Sequence, residues 1–174
     1  MPDFVSLPPN GESFFTEGGK TALQQWDVQS RELRFTYKRP ATSLSFLDDD
    51  IFFSTHYNSS KVHVWKQNEE EPTQTLELES DIASVLLAMT QTIFLIGGAG
   101  GVVKCFALSE NEWKPTFTFQ EHTGWIRSLT KVNESMFVST SGDCTAKLWD
   151  LRNQSSSLFT FRGHTDPVYS SVFL

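Results

Sequence analysis

The sequence predicts an all-β chain in which one four-stranded unit is repeated four times. Three observations carry that expectation. Aromatic anchors recur at a near-constant interval, apolar runs of strand length flank each anchor in the same order, and turn-forming residues separate the runs. The anchors are Trp26, Trp65, Phe106 and Trp149, in "TALQQWDV", "SKVHVWKQ", "GVVKCFAL" and "TAKLWDLR", spaced 39, 41 and 43 residues apart. A period of ~40–45 residues matches one four-stranded blade of a propeller array.

Each unit reads as strands a to d, with the anchor in c. The a runs are "FVSL" (4–7), "ATSLSF" (41–46), "IASVLL" (82–87) and "WIRSL" (125–129). The b runs are "SFFTEGG" (13–19), "IFFSTHY" (51–57), "IFLIGGAG" (93–100) and "MFVSTSGD" (136–143). The d runs are "RELRFTY" (31–37), "TQTLELE" (73–79), "KPTFTF" (114–119) and "SLFTF" (157–161). The last three alternate polar and apolar residues, as half-buried strands do, and "RELRFTY" does so less cleanly. Between runs stand "PPNG", "DDD", "NSS" and "SGD", where Gly and Asn tolerate positive φ and Asp and Ser bond their own backbone. No stretch sustains a 3.6-residue period. The units are expected at about 1–38, 39–80, 81–120 and 121–163, with 164–174 starting a fifth.

Composition bounds the function. The 174 residues fit one domain, and fifteen Phe and five Trp favour strands. The net charge of −7 repels phosphates, and no Lys/Arg cluster offsets it, so neither nucleic acid nor an anionic membrane is an expected partner. Cys105 and Cys144 lie far apart in strand-like runs, which suits buried reduced thiols better than a disulfide framework or a metal knuckle. "MPDFVSLPPNGESFF" has no basic n-region, and the longest apolar run, "IFLIGGAGGVV", is short and broken by glycine. A soluble protein of the cytoplasm or nucleus, without cofactor or metal, is expected.

The fourth unit, "EHTGWIRSLTKVNESMFVSTSGDCTAKLWD", carries His122, Ser139, Asp143 and Trp149 at offsets that resemble the WD-repeat β-propeller family. In that family a Gly-His pair opens the repeat, an Asp sits in the b–c turn and a Trp-Asp pair closes strand c. Here Glu121 stands where Gly is usual, and Asp150 completes the pair. The resemblance implies a propeller fold, here four blades and the start of another. It also implies a structural tetrad in which Asp143 holds the His122 ring, His122 meets Ser139, and Ser139 takes the indole N–H of Trp149. Such groups cost ~1–3 kcal/mol each if buried unpaired, so linking them fixes the register of strands a, b and c. The earlier units place Lys20, Ser59 and Gly100 where Asp143 stands and have no histidine near the His122 position. They are expected to rest on apolar packing.

Ser139, His122 and Asp143 are also the residue types of a hydrolytic triad, but a nucleophile must be exposed, and this serine sits mid-strand with a tryptophan competing for its oxygen. "GGAGG" (97–101) lacks the following Lys and helix of a phosphate loop and reads as a b–c turn. "NEEEP" (68–72) reads as solvated acidic surface, and no histidine pair has metal-ligand spacing. Aligning the a strands puts Asp3, Pro40, Asp81, Trp125 and Pro167 at one face position. Val5, Thr42, Ala83, Arg127 and Tyr169 fill the next. Trp125, Arg127 and Tyr169 are of hot-spot type, which makes them, with Asp81, a candidate protein-binding face. The expected function is a non-catalytic protein-interaction scaffold or adaptor that binds other proteins or peptides. A substrate-receptor subunit of a ubiquitin ligase or other complex is one form of it. "RGHTDPVYSSVFL" opens a repeat with Gly163 and His164 and supplies only its first strand. The working propeller is therefore expected to be larger, its blades coming from other chains or from a missing C-terminal part.

Overall fold

The computed structural model describes residues 5–6, 8–17, 22–56, 58–78 and 82–174. Alternating side chains with β-branched and aromatic residues on one face give strands throughout, and among the described residues no helix forms. Blade 1 comprises β1 (Val5–Ser6), β2 (Ser13–Glu17), β3 (Leu23–Asp27) and β4 (Leu33–Tyr37). Blade 2 comprises β5 (Ser43–Phe46), β6 (Ile51–Thr55), β7 (Lys61–Lys66) and β8 (Gln74–Glu77). Blade 3 comprises β9 (Ala83–Thr90), β10 (Ile93–Gly98), β11 (Val102–Ser109) and β12 (Glu112–Gln120). Blade 4 comprises β13 (Ile126–Lys131), β14 (Met136–Ser141), β15 (Ala146–Asp150) and β16 (Phe159–Phe161). Each blade is a four-stranded antiparallel meander with its strands in chain order.

The register explains the anchors. Each c-strand aromatic stands opposite a phenylalanine on strand b: Phe14↔Trp26, Phe52↔Trp65, Phe94↔Phe106 and Phe137↔Trp149. The four pairs stack at centroid distances of 6.4, 6.0, 5.2 and 6.2 Å. We call the sheet face carrying this pair the leading face of a blade. It packs on the opposite, trailing face of the blade before. Between blades 2 and 3, Phe94, Phe106 and Trp113 meet Phe53, Val62 and Val64, with Phe53 and Phe94 rings 4.1 Å apart. Between blades 3 and 4, Phe137 and Trp149 meet Leu95, Val103, Cys105 and Phe119. Each such side chain contributes ~1.5–3 kcal/mol on full burial, so these seams form the core.

Polar groups stitch the same seams. Gln25, 1% exposed, donates from Nε2 to Ser13 Oγ and Gln67 Oε1, and it accepts from the Tyr37 hydroxyl at 3.0 Å. Gln74 bonds reciprocally with the backbone of Trp113, and Ser84 Oγ donates to the carbonyl of Ile126. The first three blades are thus not purely apolar. The indole of Trp26 donates to Thr16 Oγ1 at 3.0 Å, and that of Trp65 to Ser54 Oγ at 2.9 Å. In blade 3, where Phe106 has no donor, the register puts Ile96 in place of the hydroxyl, 1% exposed. Donor and acceptor are exchanged for apolar groups together, which leaves nothing unpaired.

The glycine-rich run turns between β10 and β11. Gly101 sits at φ 78°, and a Cβ there would lie 2.5 Å from the backbone oxygen of His122. Residues 164–174 lie along blade 4, held by Val168 N–H to the Ser141 carbonyl at 3.0 Å. One expectation is corrected. Cys144 lies in the β14–β15 turn at φ 66° rather than in a strand, whereas Cys105 is buried in β11, and both thiols are free. Lys20 and Asp3 lie outside the described residues.

Candidate functional site

Blade 4 brings together His122, Ser139, Asp143 and Trp149. His122 Nδ1 lies 2.7 Å from Asp143 Oδ2 and its Nε2 lies 2.8 Å from Ser139 Oγ. The Trp149 indole N–H donates to Ser139 Oγ at 2.8 Å. Burial pushes the imidazole below its ordinary pKa, against the upward pull of Asp143. The neutral ring therefore donates from Nδ1 to the carboxylate and accepts from the serine hydroxyl at Nε2. Burial alone would raise the Asp143 pKa, but hydrogen bonds from Thr145, His122 and the Thr123 N–H outweigh it and hold the carboxyl at about 2. Thr145, whose hydroxyl donates to Asp143 Oδ1 at 2.6 Å, is a fifth member that sequence reasoning missed.

These are the contacts of a hydrolytic triad, but access is absent. Ser139 is 0% exposed and the His122 side chain 1%. Trp149 occupies the serine oxygen on the one side, and no path leads a substrate carbonyl to it. The arrangement satisfies buried polar groups and ties strands b and c of the blade to the segment entering strand a.

Glu121 and Lys147 form a second cluster that the sequence did not single out. Lys147, in β15, has a side chain only 7% exposed and donates to Glu121 Oε2 and to Thr160 Oγ1, both at 2.9 Å. Glu121 also accepts from the Ser157 N–H and hydroxyl. Burial would raise its pKa, yet these partners bring it to about 2. The residue replacing the usual glycine thus joins strands c and d of the blade.

Trp125, Arg127 and Tyr169 meet on the surface. The Arg127 guanidinium carbon lies 5.1 Å from the Trp125 ring centroid and 5.5 Å from that of Tyr169, within cation–π range of both. Trp125 is 43% and Tyr169 66% exposed. The turn after β14 positions both aromatics: Gly142 N–H donates to the Trp125 carbonyl at 2.8 Å, and Ser141 accepts from Val168. Gly124 lets the backbone come this close, since a Cβ there would lie 2.7 Å from the Asp143 nitrogen. Asp81 lies outside the described residues. Elsewhere the acidic loop is clasped to blade 1, through Lys38–Glu70 at 2.6 Å and Arg39–Glu71 at 3.3 Å. Among the described residues no cluster of His, Cys, Asp or Glu has the makings of a metal site.

Comparison with known proteins places this architecture. A family model described as "WD domain, G-beta repeat" matches residues 113–150, which is strand d of blade 3 with strands a to c of blade 4. A relative from Drosophila persimilis, "Ribosome biogenesis protein WDR12 homolog", is 20% identical over 95% of this chain and 45% of its own. One from Emericella nidulans, "Probable E3 ubiquitin ligase complex SCF subunit sconB", is 39% identical over 35% of this chain and 9% of its own. A solved chain, "Structure of U3-55K", superposes with a TM-score of 0.78 at 21% identity, covering 97% of this chain and 54% of that one. The chain thus spans about half the length of the relatives it matches along its whole extent.

Proposed function

Because the chain belongs to the WD-repeat family and holds four of its blades, we propose that it is a non-catalytic scaffold or adaptor whose contact patch is Trp125, Arg127 and Tyr169. The observation that carries this reading is the exposed Arg127 guanidinium, at the start of β13, within cation–π range of both the Trp125 and Tyr169 rings. Large amphipathic side chains already ordered before binding lose little entropy on contact, which is why Trp, Tyr and Arg dominate binding hot spots. The Ser139–His122–Asp143 group argues for the same reading, since its only reactive-looking oxygen is enclosed and shared. Partners are proteins or peptides rather than nucleic acid, given the charge of −7. The site of action is the cytoplasm or the nucleus.

A second reading, substrate receptor in a ubiquitin ligase or other multiprotein complex, draws on the printed description of the Emericella nidulans relative. Both readings are tested by affinity capture with quantitative mass spectrometry, comparing the unchanged chain with a Trp125→Ala/Arg127→Ala variant. Loss of a defined set of proteins supports the patch, and ligase subunits within that set select the second reading. An unchanged set refutes the patch.

A further inference from the structure

The turns of blades 2 and 3 differ, and the difference opens a groove at the outer end of their seam. β11 runs three residues past its anchor Phe106, to Ser109, and β12 pairs with it down to Glu112. Glu110 and Asn111 close that hairpin at φ 54° and 63°, the two left-handed positions that a tight two-residue turn needs. In blade 2, β7 stops one residue past Trp65, at Lys66, and a longer loop leads to β8 at Gln74. The blade 3 hairpin therefore outreaches the strands it packs on, which opens space beside it.

Gln74 fixes the width of that space. Its side-chain amide donates to the Trp113 carbonyl at 3.1 Å and accepts from the Trp113 N–H at 2.9 Å. Beside this clamp lies a half-open groove of about 440 Å³, within the ~300–1,000 Å³ typical of binding clefts. Ile51 and Val64 of blade 2 and Leu108 and Trp113 of blade 3 line it, with the exposed Thr73 and Glu112 at its edge. Both blades have all four strands and a packed neighbour on either side, so the opening belongs to the seam itself. The rim is acidic. Lys66 is paired with Asp50 at 3.8 Å, and the single Lys114 is shared between Glu110 at 3.4 Å and Glu112 at 3.8 Å. Glu69, whose N–H bonds back to the Lys66 carbonyl, adds a further exposed carboxylate.

We propose that this groove takes an extended peptide segment of a partner protein, in which one bulky apolar side chain is flanked by lysine or arginine. The apolar side chain fills the space between Ile51 and Leu108, as an anchor residue does in a pocket that excludes water around it. Its basic neighbours meet the carboxylates of the rim, and the net charge of −7 favours the same sign of partner at longer range. The groove shares no residue with the Trp125 patch and operates independently of it.

A random peptide library displayed on phage, selected on the unchanged chain, tests this. Recovered peptides should share a Leu, Ile, Met, Phe or Trp next to Lys or Arg. A fluorescein-labelled peptide taken from that set should bind saturably, shift the Leu108 and Trp113 amide signals in heteronuclear NMR spectra, and weaken as salt is raised. Thr73→Trp closes the groove from an exposed position, and the backbone N–H there still reaches the Val64 carbonyl, 2.8 Å away. That variant should melt like the unchanged chain and lose binding. Glu112→Lys, also exposed, should keep the fold and weaken binding about fivefold, the effect of one surface charge. Recovery of no consensus, of acidic peptides, or of apolar peptides without a basic neighbour overturns the proposal, as does binding that Thr73→Trp leaves intact. Shifts confined to Trp125 and Arg127 also overturn it, because the peptide would then sit on the other patch.

Discussion

Replacing Ser139 by alanine removes one hydroxyl and strands two buried groups. The Trp149 indole N–H loses its acceptor and His122 Nε2 loses its donor, each now 2.8 Å from the oxygen. A buried group left unpaired costs ~1–3 kcal/mol, so stranding two of them in Ser139→Ala costs about 2–6 kcal/mol. Blade 2 supplies an internal control. Ser54 accepts from Trp65 at 2.9 Å and stands opposite His63, whose Nδ1 meets Thr75 Oγ1 at 3.0 Å, so Ser54→Ala strands the indole and costs ~1–3 kcal/mol. Equilibrium urea unfolding, followed by circular dichroism and tryptophan fluorescence, measures both. Equal losses in the two variants, or a loss below about 0.5 kcal/mol for Ser139→Ala, would refute the claim that the blade 4 network acts as a linked unit.

Acid should destabilise the chain in two stages. The His122 pKa lies below its ordinary value of 6.5 when folded, so the unfolded chain takes up that proton first and stability falls as pH drops below 6.5. Asp143 and Glu121, held at about 2 against ordinary values of 3.8 and 4.5, contribute stability that is present above those values and lost as pH falls towards 2. A urea midpoint that is flat from pH 7 to 4 contradicts the first stage. Restoring the usual glycine with Glu121→Gly should weaken the fold by about 2 kcal/mol, because Lys147 is left buried without its carboxylate, discounted here for the partial exposure of Glu121. Lys147→Met in the same background should recover most of that loss, and failure to do so shows that the ion pair is not the cause.

The repeat was legible because each blade spends a c-strand aromatic and a b-strand phenylalanine at a fixed register. Anchor spacing, the flanking apolar runs and the turn residues together therefore pointed to four sheets, and the quartet of His122, Ser139, Asp143 and Trp149 followed from the resemblance of one unit to the WD-repeat pattern. The indole partners in blades 1 and 2 were missed although a signal existed: a hydroxyl stands two residues beyond the b-strand phenylalanine, at Thr16, Ser54 and Ser139, and Ile96 replaces it where Phe106 replaces tryptophan. The Glu121–Lys147 pair left no such trace. Those residues are 26 apart and meet only once β15 lies beside the loop entering β13.

The central claim divides blade 4 into an enclosed network that holds the fold and an outer aromatic–arginine stack that makes contacts. Quantitative capture of bound proteins, paired with melting temperature, tests that division on two variants. Trp125→Ala/Arg127→Ala should lose the bound set and keep the melting temperature, since its side chains stand at the surface. Ser139→Ala should lower the melting temperature and, below it, keep the bound set. The account is contradicted if the surface variant retains every partner, or if Ser139→Ala leaves stability untouched.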